Sequence, residues 1–140
     1  MSRVFWDTNL FVYLFAGAGA LAKRVKDLRQ AMLERGDQLL TSTLTLGEVL
    51  VKPIEKGNVE LARRYQEALA ATSVMIPLDV KAATIYATLR SDRFLRAPDA
   101  IQLACAAAAG VDVFITNDTR LQTKRVEGIH FIVSLDRVPY

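Results

Sequence analysis

Four acidic residues, Asp7, Glu48, Asp99 and Asp118, stand where their side chains could share one site. Asp7 directly follows the strand-like run Arg3-Val4-Phe5-Trp6, and Asp118 comes two residues after Val113-Phe114-Ile115-Thr116. In open parallel sheets the functional crevice lies beyond the carboxyl ends of the strands, which is where both would fall. Glu48 is a lone acid among Leu44, Leu46, Val49 and Leu50. Asp99 follows Pro98 at the head of an apolar run, 100–109, whose one other polar member is Gln102. Taken singly, Asp7, Asp99 or Asp118 reads as readily as a helix cap, since a carboxylate satisfies free amides and favours the helix dipole. Glu48 lies inside its helix and escapes that reading, although a buried arginine could serve as its partner. Taken together, four carboxylates in one crevice repel unless protons or cations compensate, so a bound cation is the simplest account. Oxygen-only ligation suits Mg²⁺ or Mn²⁺. Such a site lowers the pKa of a bound water, aligns it with a phosphodiester and neutralises charge on the leaving oxygen.

The other candidates for chemistry are few. Cys105 is the single cysteine, which excludes an internal disulfide and a cysteine-rich zinc site and fits a small buried helix residue. His130 is the single histidine and falls in an expected strand, with no nucleophilic serine or cysteine motif to call on it. The 140 residues suit one domain, 1–140, and 51% hydrophobic with 24% charged residues is the balance of a folded chain with a real core. The longest apolar runs fall short of the ~20 residues a membrane helix needs, and no secretion signal is expected at the N-terminus. A cytoplasmic protein without a membrane partner is the expectation.

To bring the acids together the chain must supply a scaffold, and its apolar pattern alternates short strand-like and longer helical runs. That alternation predicts an α/β fold, one three-layer domain with a mainly parallel sheet flanked by helices. Strands are expected at 3–6, 38–41, 74–76, 113–116 and 129–133, and helices at 10–15, 20–35, 45–51, 59–71, 79–90 and 98–109. Gly36 and Gly110 close helical runs, Asp79 can cap one, and Pro98 suits a first turn.

Four segments carry a resemblance that spans nearly the whole chain. Phe5-Trp6-Asp7-Thr8-Asn9, the stretch 40–50 ending beyond Glu48, the stretch 95–104 around Pro98-Asp99, and Phe114-Ile115-Thr116-Asn117-Asp118 occur in that order. In this the sequence resembles PIN-domain proteins, above all the toxin ribonucleases of bacterial VapBC-type pairs. The resemblance implies a PIN-like fold, with Asp7, Glu48, Asp99 and Asp118 as catalytic metal ligands and Thr8, Asn9, Thr116 and Asn117 positioning them. Where family members often carry an aromatic residue after the fourth motif, this chain has Thr119-Arg120-Leu121.

The formal charge is +3, from 18 basic and 15 acidic residues. With the four acids set aside, 18 bases face 11 acids, a remainder of +7 that suits a polyanionic substrate. Arg93, Arg96, Arg120 and Lys124 flank Asp99 and Asp118 and are the expected phosphate contacts; the alternative for each is a solvated basic face or pairing with Asp92 or Glu127. The leading expectation is an Mg²⁺- or Mn²⁺-dependent endoribonuclease acting on RNA, the toxin of a toxin–antitoxin pair. A homodimer bound by a small antitoxin is implied by the resemblance, and Leu10, Phe11, Tyr13 and Phe15 are candidates for that contact surface. Other readings are an RNA-binding or partner-binding module that keeps the fold with little activity, a receiver-like domain, and a phosphatase-like enzyme. The last would want a second acid where Asn9 stands, and the receiver would want paired acids where Trp6-Asp7 supplies one.

Overall fold

The computed structural model describes residues 1–138. Five strands, β1 (Arg3–Trp6), β2 (Gln38–Ser42), β3 (Val74–Ile76), β4 (Val111–Thr116) and β5 (Ile129–Ser134), form one parallel sheet in the order β3-β2-β1-β4-β5. Parallel neighbours need crossovers, and those from β1 to β4 are carried by α1 (Thr8–Ala16), α2 (Gly19–Arg35), α3 (Thr43–Glu55), α4 (Val59–Thr72), α5 (Val80–Leu89) and α6 (Ala97–Ala109), while the one from β4 to β5 carries only a short 3-10 turn, Thr119–Thr123. The chain builds outward from β1 through β2 to β3, then crosses to the other side for β4 and β5. This reversal beside β1 is the switch point at which open α/β sheets leave a crevice.

Both faces of the sheet are covered, and the strand residues alternate between two cores accordingly. Val4, Trp6, Leu39 and Ile115 pack with α1 to α4, through Leu10, Phe11, Val25, Leu28, Met32, Val49 and Leu69. Phe5, Leu40 and Phe114 face the opposite way, onto Ala82 of α5 and onto Ala100, Leu103 and Ala106 of α6. Phe5 and Phe114 stack at 5.1 Å between ring centroids, tying β1 to β4 on that side. The alanine-rich sequence of α6 lets its backbone lie close to the sheet, and Gly110, at φ 68°, supplies the left-handed residue that turns it directly into β4.

The expected elements are present, with ends moved by a few residues. The largest change is α3, which extends past position 51 to Glu55 and runs through Pro53. Pro53 sits in the last turn, so the helical bond it cannot donate is lost near the end of α3 rather than in its middle, and its ring is buried. Leu10 and Phe11 are wholly buried in the first core, which corrects their placement on a contact surface; Tyr13 and Phe15 pack against the same core while staying partly open.

Candidate active site

The four acids line one cavity of about 290 Å³ at the carboxyl end of the sheet, together with Gln102 and Arg96. Each arrives from a different segment. The Asp7 amide donates to the Ile115 carbonyl (3.0 Å), prolonging the β1–β4 ladder by one residue and setting Asp7 beside Thr116. Asp7 is also the N-cap of α1, accepting from the Thr8 amide at 2.9 Å, so capping and placement in the cavity coincide in one side chain. Asp118 likewise caps the short 3-10 turn Thr119–Thr123. Asp99 lies in the first turn of α6, whose N-cap is Arg96, and therefore does not cap it.

The inner wall is a buried hydrogen-bond network. Thr116 donates its hydroxyl to Asp7 Oδ2 (2.8 Å) and accepts from the Asp118 amide (3.0 Å), linking two of the acids through one side chain. Thr8 donates to Glu48 Oε1 at 2.6 Å. Gln102, 2% exposed, reaches Thr45 Oγ1 (2.8 Å), Thr8 Oγ1 (3.0 Å) and, more weakly, Asp7 Oδ1 (3.4 Å), while Ser42 donates to its carbonyl. Thr41 completes the layer by bonding the Trp6 carbonyl and Thr45. Gln102 and Asp99 are three residues apart on α6, as are Thr45 and Glu48 on α3, so one face of each helix carries an acid and a polar residue that supports it.

The outer wall is built from exposed ion pairs. Arg120 places its Nε 2.9 Å from Asp118 Oδ1, and Arg96 Nε is 3.4 Å from Asp99 Oδ2. The Arg120 guanidinium holds the Asp118 carboxyl below the usual carboxylate range. Asp7 moves the other way: burial, reinforced by the charges of Asp99 and Glu48, pushes its carboxyl up despite hydrogen bonds from Thr116 and the Thr8 amide. Among the described residues no three Asp, Glu, His or Cys side chains stand close enough together to enclose a cation as placed. Glu48, Asp99 and Asp118 are instead bonded to Thr8, Arg96 and Arg120 respectively. The donor set nevertheless fits a hard divalent ion, being all oxygen and carrying mutual repulsion that a cation would relieve.

Of the expected supporting residues, Thr8 and Thr116 bond acids directly, and Asn9 lines the cavity. Asn117 instead donates to the Tyr13 hydroxyl at 3.0 Å and so fastens the fourth segment to α1. Among the basic residues, Arg96 lines the cavity and Arg120 sits on Asp118. Lys124 is held by Asp92 at 2.6 Å, the pairing that was the alternative to a phosphate contact, and Arg93 is exposed on the loop before α6. Gln102, Thr45 and Ser42 were not anticipated as site residues; the signal was the single polar position in the apolar run of α6. Leu121, at the place where an aromatic residue is common, is 2% exposed and packs in the second core. Cys105 is buried there too, and burial pushes its thiol up to about 11, which leaves it an inert thiol. His130 lies exposed on β5, 3.5 Å from Asp112 and away from the acids.

Comparison with known proteins agrees with this fold. The PIN domain family profile matches residues 4–127. The fold is similar to that of VapBC2 from Rickettsia felis bound to a promoter DNA fragment, with a TM-score of 0.75 at 14% identity over 94% of this chain and 98% of that one. It is similar to a toxin–antitoxin complex from Klebsiella pneumoniae, with a TM-score of 0.66 at 26% identity over 90% and 94% of the two chains. DNA-bound VapBC from Salmonella typhimurium gives 0.73 at 18% identity over 96% and 99%. No curated protein matches the sequence.

Proposed function

The chain belongs to the PIN domain family, whose members are generally nucleases that use divalent metal ions, and from that premise we propose that it is a Mg²⁺- or Mn²⁺-dependent endoribonuclease. The observation that carries this reading is the meeting of Asp7, Glu48, Asp99 and Asp118, from four separate segments, in one cavity at the switch point of the sheet. These four side chains would hold the metal, which when bound supplies an activated water and a counter-charge for the leaving oxygen. The chain's own contribution is to fix and to bind. Thr116, Thr8 and Gln102 keep the inner carboxylates from turning into solvent, and the Arg96 and Arg120 guanidiniums at the rim offer paired donors to phosphate oxygens.

The same premise supports a role as the toxin of a toxin–antitoxin pair, since the structural relatives are such complexes. An apolar groove of about 540 Å³ between α1, α3 and α4 shares Asn9 and Glu48 with the acidic cavity. Val12 and Val51, 40% and 49% exposed, line it. An antitoxin segment with an apolar face would seat there and could extend a basic side chain among the acids; a homodimer is the accompanying proposal. No described helix is long and apolar enough to cross a membrane.

The deciding experiment is incubation of purified protein with a mixed RNA pool in Mn²⁺, in Mg²⁺ and in EDTA. Internal cleavage that requires metal and disappears in Asp99→Asn is expected. Intact RNA under every condition, from a protein whose Tm is unmoved by Mn²⁺, would overturn the reading and leave the binding-module alternative.

A further inference from the structure

Phe94 is 91% exposed, the most exposed aromatic ring among the described residues. It stands on the connection between α5 and α6, two residues before Arg96 and five before Asp99, both of which line the acidic cavity. The backbone around it is pinned. The Phe94 amide donates to Asp92 Oδ1 (3.0 Å), the Leu95 amide donates to the Asp92 carbonyl (3.1 Å), and Lys124 clasps the Asp92 carboxylate from the segment after β4. Leu95, 4% exposed, sinks into the second core directly beside it. The fold therefore buries the smaller apolar side chain of the pair and holds the larger ring out in water, forgoing roughly 1.5–3 kcal/mol of burial for a ring of that size.

The charge around the ring says what it can meet. Arg93 precedes it and is exposed, Arg96 follows at the cavity rim, where it pairs with Asp99, and Asp92, the acid on the same loop, is neutralised by Lys124. An aromatic face between cations suits a polyanion whose bases are free to stack, and suits a second protein surface less well. We infer that Phe94 is a base-stacking residue that holds an unpaired nucleotide of the substrate beside the scissile phosphate. This rests on the ribonuclease reading and adds a requirement to it: a paired base, already stacked in a duplex, cannot use the platform. Arg93 and Arg96 would hold the phosphates on either side of the stacked base.

The test compares wild type with Phe94→Ala, Phe94→Leu, Phe94→Tyr and Phe94→Trp, all at a solvent-exposed position that does not endanger folding. Affinity is read by fluorescence anisotropy in EDTA with a labelled 12-nucleotide single-stranded RNA and with the same RNA fully paired. A stacked base is worth ~1–3 kcal/mol, which converts to a loss of about 5- to 150-fold for Ala and for Leu. Tyr and Trp should bind as wild type, the duplex should not distinguish the variants, and emission from the Phe94→Trp indole should be quenched by the single strand. Unchanged affinity in Phe94→Ala, full rescue by Leu, absence of RNA binding in wild type, or a change in oligomeric state without loss of RNA affinity would each overturn the assignment. The cleavage assay separates the two claims. Metal-dependent cleavage with Phe94-independent binding sinks the stacking role alone, and Phe94-dependent binding without cleavage sinks the nuclease reading and, with it, the placement beside a scissile phosphate, leaving only RNA stacking on Phe94.

Discussion

The inner and outer walls of the acidic cavity hold their carboxylates by different means. Asp7 and Glu48 are held by Thr116, Thr8 and Gln102, neutral groups packed between two apolar cores. Asp99 and Asp118 face solvent-exposed arginines. Neutral buried donors fix geometry without cancelling charge, and burial, reinforced by the charges of Asp99 and Glu48, keeps the Asp7 carboxyl raised despite them. Arginine partners do cancel charge, and because they are exposed they can be exchanged for another cation at little cost. The inner wall is preorganised, whereas at the rim an aspartate would exchange its arginine for a metal ion, and the freed arginine its aspartate for a phosphate, at little cost.

The largest effect that would sharpen this contrast is expected from Asp7→Asn. Cleavage should fall by more than about a hundredfold, beyond the 10–100-fold that loss of an outer-shell partner costs. The same variant tests the charge. A carboxyl raised above 3.8 in the folded state makes wild type lose stability as pH climbs from 3.8 through the folded value, and the Asn variant lacks that loss. In EDTA, the Tm difference in favour of Asp7→Asn should widen between pH 4 and pH 7; a difference that narrows instead would break the claim that Asp7 is a compressed charge. Next comes Thr116→Val, which preserves shape but removes the donor to Asp7 and the acceptor for the Asp118 amide. Mn²⁺ affinity measured by calorimetry should drop about 10–100-fold, and an unchanged affinity would mean that the inner wall needs no such support.

A smaller effect is expected from Gln102→Leu. Thr45, Thr8 and Ser42 lose a shared partner, which should destabilise the fold by about 1–3 kcal/mol in urea unfolding. A loss confined to activity would show the network to be dispensable for folding. The smallest is Arg120→Ala at the rim, where thermal unfolding should not move. Asp118, released from the guanidinium, should return toward the ordinary carboxylate range in a carboxyl NMR titration. A clear drop in Tm would make the rim as structural as the inner wall and erase the distinction.

The alternation of apolar runs located all five strands, because a strand buried on both faces must be apolar throughout and short, and a crossover helix must be longer. Placement of acids after strands followed from the same pattern, since the carboxyl ends of parallel strands lie on one side of the sheet. The sequence by itself therefore determined the α/β layering, the segments that reach the crevice and the four acids they carry there. It could not say that Asp7 both caps α1 and faces the cavity, that Lys124 goes to Asp92, or that Asn117 goes to Tyr13, because each partner comes from a separate element whose approach depends on packing. Gln102 shows the limit most clearly. A polar residue in an apolar run announces that some partner exists, but the partners lie 57 to 95 positions away. Only the docking of α6 across β2, β1 and β4 decided that its amide would close the inner wall, through bonds that form over 3 Å and leave no mark on local sequence pattern.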